Sequence, residues 1–239
     1  MDEIMKCVAE CSYTGIEVGL RHFDLEKPEY YSELLKRNKL EMIALHIGGD
    51  FTNSESVQRQ MDNIYSAIRL AHKLECINIF ISGGFKKDKK NEDFKNEAEN
   101  YNKLGEIIRN EGLTLSYHNH NWEFANDACG YNIIVENTDP DNLYFVPDVG
   151  WITRAGYNPV TVIKNIKDRI SNIHFKEFDK EDNIVELGTG IVDFKSVFDF
   201  IASLKDMWII AEQDKTTIGA QNSVAKNYKF IKSLKSEVK

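Results

Sequence analysis

Leu113-Thr-Leu-Ser-Tyr-His-Asn-His120 alternates apolar and polar side chains over eight positions. Successive side chains of an extended chain point to opposite faces, so Leu113, Leu115 and Tyr117 share one face and His118 and His120 share the other. An apolar face for helices to cover, with two imidazoles near the strand's C-terminal end, is the pattern of a strand in a parallel α/β structure that gathers a site at one mouth. Six further apolar runs, at 16–20, 42–47, 77–82, 143–149, 170–178 and 208–214, read as strands around it. Helix-like amphipathic stretches separate them, at 26–38, 54–74, 93–110, 159–167 and 194–204, and a last one at 221–234 closes the chain. Alternation of this kind implies βαβ units and a parallel sheet.

Seven such strands in 239 residues fit an α/β fold of the TIM-type (β/α) barrel kind. An open doubly wound sheet is the competing architecture, but the Gly-x-Gly-x-x-Gly turn that usually marks one does not occur. Residues 2–10 read as a helix feeding the strand at 16–20, and no strand is readable ahead of them. The pattern therefore predicts either a barrel open at that seam or a missing N-terminal piece. No Gly/Pro/Ser-rich linker interrupts the chain, and its four prolines (Pro28, Pro140, Pro147, Pro159) are scattered, so one domain over 1–239 is expected.

Apolar residues make up 42% of the chain, enough for a sizeable core. Lysine and arginine number 30 against 38 acids, a net charge of −8, which argues against a nucleic-acid or anionic-membrane surface. No run approaches a membrane span, and Met1-Asp2-Glu3 lacks the basic start of a signal peptide. Cys7, Cys11, Cys76 and Cys129 form no Cys-x-x-Cys pair and are read as reduced thiols, which points to a cytoplasmic protein.

The parity of the central strand repeats in the others. Leu143 and Phe145 point outward and Asp148 inward; Ile173 and Phe175 outward, His174 and Lys176 inward. Glu212 shares a face with Ile210 and Asp214, and His46 closes its own strand. Five strands thus end in an acid–base or ligand-type residue at one level. A buried histidine or aspartate is more often structural, but barrel interiors are mostly branched and apolar, and several strands ending alike favour a site. Imidazoles and carboxylates from separate strands can surround a divalent cation and leave positions open for substrate oxygens.

These residues resemble the sugar isomerase/epimerase superfamily of xylose isomerase-like barrels. The resemblance runs through Tyr13-Thr-Gly-Ile-Glu-Val18, Ala44-Leu-His46, Tyr117-His-Asn-His-Asn-Trp-Glu-Phe124 and Asp148-Val-Gly-Trp-Ile-Thr-Arg-Ala-Gly-Tyr-Asn-Pro159. It continues through Arg169-Ile-Ser-Asn-Ile-His-Phe-Lys176, Gly188-Thr-Gly-Ile-Val-Asp193 and Trp208-Ile-Ile-Ala-Glu212. The strand with His118 and His120 is similar to that of inosose dehydratase-like proteins. The resemblance implies a metal held by an acid, an Asp, a His and a Glu on four successive strands. Asp148, His174 and Glu212 match three of these positions, and His118 stands where many members carry the first glutamate. One divalent ion (Mn, Mg, Co or Zn) is the cofactor it implies.

The resemblance then implies a divalent-metal-dependent isomerase or epimerase of a sugar or sugar phosphate, working by proton abstraction through an enediolate. Dehydration of a keto-inositol or keto-sugar is the alternative, since both begin with the same abstraction, and a non-catalytic sugar-binding relative is a third. Glu212 is the first candidate for proton carrier, with His118, His120 or Glu123 as the other; His118 is favoured as ligand. Lys176 is a candidate to grip a sugar oxygen, carboxylate or phosphate as a point charge, His46 to touch substrate, and Trp122 and Trp151 to wall the pocket. Gly48-Gly49 and Gly83-Gly84 either approach a phosphate or only turn the chain. The expected partner is a small sugar, with neither nucleic acid nor membrane, and a second copy of the chain covering the seam.

Overall fold

The predicted apolar runs become seven parallel strands in a computed structural model that describes residues 1–204 and 206–236. β1 (Gly15–Gly19), β2 (Glu41–Gly49), β3 (Asn78–Gly83), β4 (Thr114–His118) and β5 (Tyr144–Val146) pair in sequence order. Parallel bridges Phe145↔Ile170 and Asp148↔His174 carry the sheet on to β6 (Ile173–Phe175). A short antiparallel hairpin, β7 (Glu177–Phe178) with β8 (Ile184–Val185), follows. The last strand, β9 (Ile209–Ala211), pairs with β6. Among the described residues β1 and β9 do not pair, so the curved sheet stays open between them, one of the two outcomes expected at that seam.

Helices α1 (Asp2–Glu10), α2 (Pro28–Asn38), α3 (Ser54–Lys73) and α4 (Asn91–Asn110) lie close to their predicted positions. Local chemistry sets their ends. Pro28 opens α2, where its missing N–H costs nothing. Asn53 and Ser56 form a reciprocal capping box on α3, the Asn53 side chain accepting from Ser56 N at 2.9 Å. Three helices follow β4 and β5: α5 (Ala125–Asn137), α6 (Val149–Arg154) and α7 (Pro159–Asn165), the last at the predicted 159–167. Neither α5 nor α6 is predicted. α5 begins with Asn126, Asp127 and Ala128 at positive φ, a start that no helical periodicity announces. α6 starts at Val149, the last residue assigned to a strand, because Asp148 turns the chain by accepting Trp151 N at 2.9 Å and capping a helix there. α8 (Phe194–Ile201) and α9 (Ala220–Ser236) complete the order.

The outward strand residues and the helices share one large core. Inside the barrel a small separate cluster, Ala44, Phe80 and Val146 with Ile210 against it, comes from β2, β3, β5 and β9. These are the inward positions just before His46, Ser82, Asp148 and Glu212, so the apolar layer forms a floor and the polar residues stand on it. No helix among the described residues is long and apolar enough to cross a membrane.

Candidate metal centre and cavity

His118 ends β4, His174 lies in β6, Asp148 follows β5 and Glu212 follows β9. One ligand-type atom from each falls within 4.8 Å of the others. Glu212 Oε2 sits 2.6 Å from His174 Nδ1 and 3.2 Å from His118 Nε2, while Asp148 Oδ2 lies 3.5 Å from His118 Nε2. His118, Asp148 and His174 are all but inaccessible to solvent. Asp148 Oδ2 has no hydrogen-bond partner, although its sister oxygen caps α6. A buried carboxylate oxygen without a donor is costly unless a cation answers it. Two imidazole nitrogens and two carboxylate oxygens are a donor set that zinc, manganese and similar divalent ions accept, so the residues fit such an ion.

The charges in the cluster support one another. Burial alone would depress the His174 imidazole, but Glu17 and Glu212 override it and hold its pKa at about 10. His118 is likewise opposed by burial and raised to about 8 by Asp148 and Glu212. Burial would raise the Glu212 carboxyl, yet His118 and His174 keep it well below the usual carboxylate range. Without a metal, protons on the imidazoles occupy the place a divalent ion would take.

Beside the cluster opens a cavity of about 250 Å³ whose walls include His46, His120, Trp151, Lys176, Glu212 and Asp214. Lys176, almost wholly buried, donates to Glu212 Oε1 at 2.6 Å and to Asp214 Oδ2 at 2.8 Å, with its Nζ 4.8 Å from the Trp151 ring centre. Burial works against that ammonium, but Glu212, Asp148 and Asp214 keep its pKa raised. Only glycine fits at position 150, because a Cβ there would come within 2.4 Å of the Lys176 carbonyl oxygen; α6 can therefore lie against the strand end that carries Lys176. A larger cavity, about 970 Å³, opens at the other end of the strands, around Glu41, Asn78, Thr114 and Tyr144. It is remote from the cluster, and barrel chemistry sits at the C-terminal mouth.

The remaining predicted site residues take distinct places. His46 lines the cavity and bonds through Nδ1 to Glu17 Oε1 (2.8 Å) and through Nε2 to Ser82 Oγ (3.1 Å). His120 also lines it; burial and neighbouring His118 push its pKa down to about 2, so its ring is neutral. Trp122 is not in the wall itself. It stacks on His120 with ring centres 4.0 Å apart and touches exposed Phe85. Glu123 lies outside the cavity lining: it is fully buried, accepting from Tyr117 Oη at 2.7 Å and from His120 N at 2.9 Å. Burial raises its pKa to about 7. Of the two glycine turns, Gly48 lines the cavity, whereas the Gly84 N–H is spent on the Gly49 carbonyl at 2.6 Å.

Glu17 was not among the predicted site residues. Its carboxylate bonds His46 and, through Oε2, His174 Nε2 at 2.6 Å. The strand Gly15-Ile-Glu-Val-Gly19 holds one acid between two apolar residues, which a half-exposed strand shows equally well. Parity with Ile16 and Val18 is the signal that places it inward.

The family model for the xylose isomerase-like TIM barrel matches residues 5–234. The chain belongs to that family. Within it, an inosose dehydratase of Mesomycoplasma hyopneumoniae is 29% identical over 205 residues, covering 81% of this chain and 67% of that protein. One from Clostridium tetani is 27% identical over 162 residues, covering 59% and 54%. The matched stretch thus spans about half the length of several of these curated relatives. A crystal structure of a sugar phosphate isomerase/epimerase from Parabacteroides distasonis superposes with TM-score 0.80 at 19% identity, covering 98% of this chain and 88% of the other. At that identity the likeness is one of fold.

Proposed function

We propose that this barrel is a divalent-metal-dependent enzyme that removes a proton next to the carbonyl of a small keto-polyol, and that its net reaction is loss of water. The observation that carries the reading is the convergence of His118, Asp148, His174 and Glu212 beside a cavity sized for one polyol ring. When bound, the cation would act as a Lewis acid, stabilising charge that develops on the carbonyl oxygen. Of the residues at the cavity wall that can carry a proton, Glu212, Asp214 and Lys176 are joined in one hydrogen-bonded group, and the His46 and His120 imidazoles stand apart from it. Glu212 is the candidate to take the α-proton, and the Lys176 ammonium the candidate to donate to a departing hydroxyl. Epimerisation needs a second carrier on the opposite face. His120, which lies outside that group with a neutral ring and an Nδ1 that has no hydrogen-bond partner, is the candidate for it.

The inosose dehydratase relatives support elimination from a keto-inositol over epimerisation. The test is to incubate protein loaded with Mn²⁺ with a keto-inositol and follow product mass and solvent deuterium uptake. Loss of one water from the substrate, abolished by chelation, supports the reading. Deuterium uptake at unchanged mass makes the enzyme an isomerase or epimerase, and neither change leaves it a binding protein.

A further inference from the structure

We infer that Glu17 is a positioning residue that fixes the ring tautomers of His174 and His46 together, turning Nδ1 of His174 to the metal cluster and Nε2 of His46 to the cavity. The inference rests on the reading of the cluster as a metal site. A carboxylate accepts hydrogen bonds and donates none. Glu17 Oε2 lies 2.6 Å from His174 Nε2 and Oε1 lies 2.8 Å from His46 Nδ1, so both facing nitrogens must carry hydrogen. A neutral imidazole has one N–H, and its second nitrogen then keeps a lone pair. In His174 the same reasoning puts a hydrogen on Nδ1 too, since Glu212 Oε2 lies 2.6 Å away; a cation among the four converging atoms would displace that hydrogen, and because Glu17 keeps Nε2–H the lone pair so freed is the one on Nδ1. In His46 the nitrogen with the lone pair is Nε2, which can accept from Ser82 Oγ at 3.1 Å at the cavity wall.

One side chain on β1 thereby sets a candidate metal ligand 157 residues away and a candidate substrate contact on the neighbouring strand. Outer-shell carboxylates that hold a metal-bound imidazole by its far nitrogen raise its basicity and lock its orientation. Glu17 does this for one ring while serving a second with its other oxygen. An amide cannot replace it, since its oxygen accepts but its NH₂ donates. Glu17→Gln keeps the size and one of the two hydrogen bonds, and obliges one ring either to change tautomer or to lose its partner.

The test combines metal titration with ¹⁵N NMR of histidine-labelled protein. In wild-type protein loaded with Zn²⁺, His174 is expected as the Nε2–H form and His46 as the Nδ1–H form, a measurement that needs no variant. In Glu17→Gln, one of the two rings is expected to leave that form, and Zn²⁺ and Mn²⁺ affinity to fall about 10- to 100-fold, with circular dichroism unchanged. Opposite tautomers in the wild type, or wild-type affinity with both tautomers kept in Glu17→Gln, overturns the role of Glu17 and leaves the metal site standing. Failure of the wild-type protein to bind either ion overturns the metal reading and this inference with it.

Discussion

Asp148→Asn separates the metal site from the fold, because the two oxygens of Asp148 have different tasks. Oδ1 caps α6 by accepting Trp151 N at 2.9 Å, and Oδ2 faces the cluster without a hydrogen-bond partner. An amide retains the capping oxygen and replaces the anionic one with an uncharged NH₂. Loss of an outer-shell partner already costs about 10–100-fold in metal affinity, so loss of a direct anionic ligand should cost at least about 100-fold. With cation at about 100 times the wild-type Kd, linkage stabilises the wild type by about 2.7 kcal/mol. For a domain of this size that raises the melting temperature by about 5–11 °C. The same concentration gives Asp148→Asn only about 0.4 kcal/mol, a rise of about 1–2 °C. In EDTA the Asn variant loses the Asp148–His118 attraction but keeps the cap, whereas Asp148→Ala loses the cap as well and drops by about a further 1 kcal/mol. The assay is differential scanning fluorimetry against Mn²⁺ concentration, checked by calorimetric Kd. An Asn variant with the wild-type metal-induced rise would refute the assignment of Oδ2 as a ligand.

Three further outcomes follow from the same geometry. Lys176→Met, which removes a charged donor from the cavity wall, should lower kcat/KM for a keto-polyol by about 10- to 150-fold, the equivalent of about 1.5–3 kcal/mol for a hydrogen bond to a charged group; metal content should hold, and an unchanged kcat/KM removes Lys176 from the substrate site. Because His118 and His174 are held protonated to about pH 8 and about pH 10, binding a cation must release their protons, so affinity should rise with pH. Calorimetry at pH 7 in buffers of different ionisation enthalpy should find close to two protons released per ion, and zero would contradict the site. Away from the mouth, burial raises the Glu97 carboxyl to about 7 despite the Lys89 ammonium 2.6 Å away. The folded state then keeps a proton that the unfolded chain gives up, so this group's contribution to stability declines as pH rises from the usual carboxylate range through about 7. Lys89→Met should steepen that decline, with urea midpoints similar at pH 5 and lower by the equivalent of about 3 kcal/mol at pH 8; equal losses at both pH values would contradict the coupling.

The strands were legible because each buries its outward face, which writes the period-2 alternation of Leu115 and Tyr117 or of Ile173 and Phe175 into the sequence. The same parity brought His118, Asp148, His174 and Glu212 to one end, and Lys176 and His46 to the cavity wall. What escaped depends on single local interactions. Asp148 ends β5 by capping a helix, so the strand expected through Val149 stops at Val146. Three left-handed residues hide the start of α5. The run at 170–178 breaks into a bridge, β6 and one arm of a hairpin, where Glu177 turns its carboxylate to backbone N–H groups of the loop at 188–192. Glu123 sits only three residues beyond His120, yet its place is set by Tyr117 and the backbone, partners that spacing alone does not reveal. Glu17 escaped for the opposite reason, since its histidine partners lie on other strands.

Anomalous diffraction from crystals grown with Mn²⁺ tests the central claim most directly. The account predicts a single strong peak within bonding distance of His118 Nε2, Asp148 Oδ2, His174 Nδ1 and Glu212 Oε2, with open coordination positions facing the cavity at Lys176. A peak elsewhere, or none at saturating Mn²⁺, would contradict it.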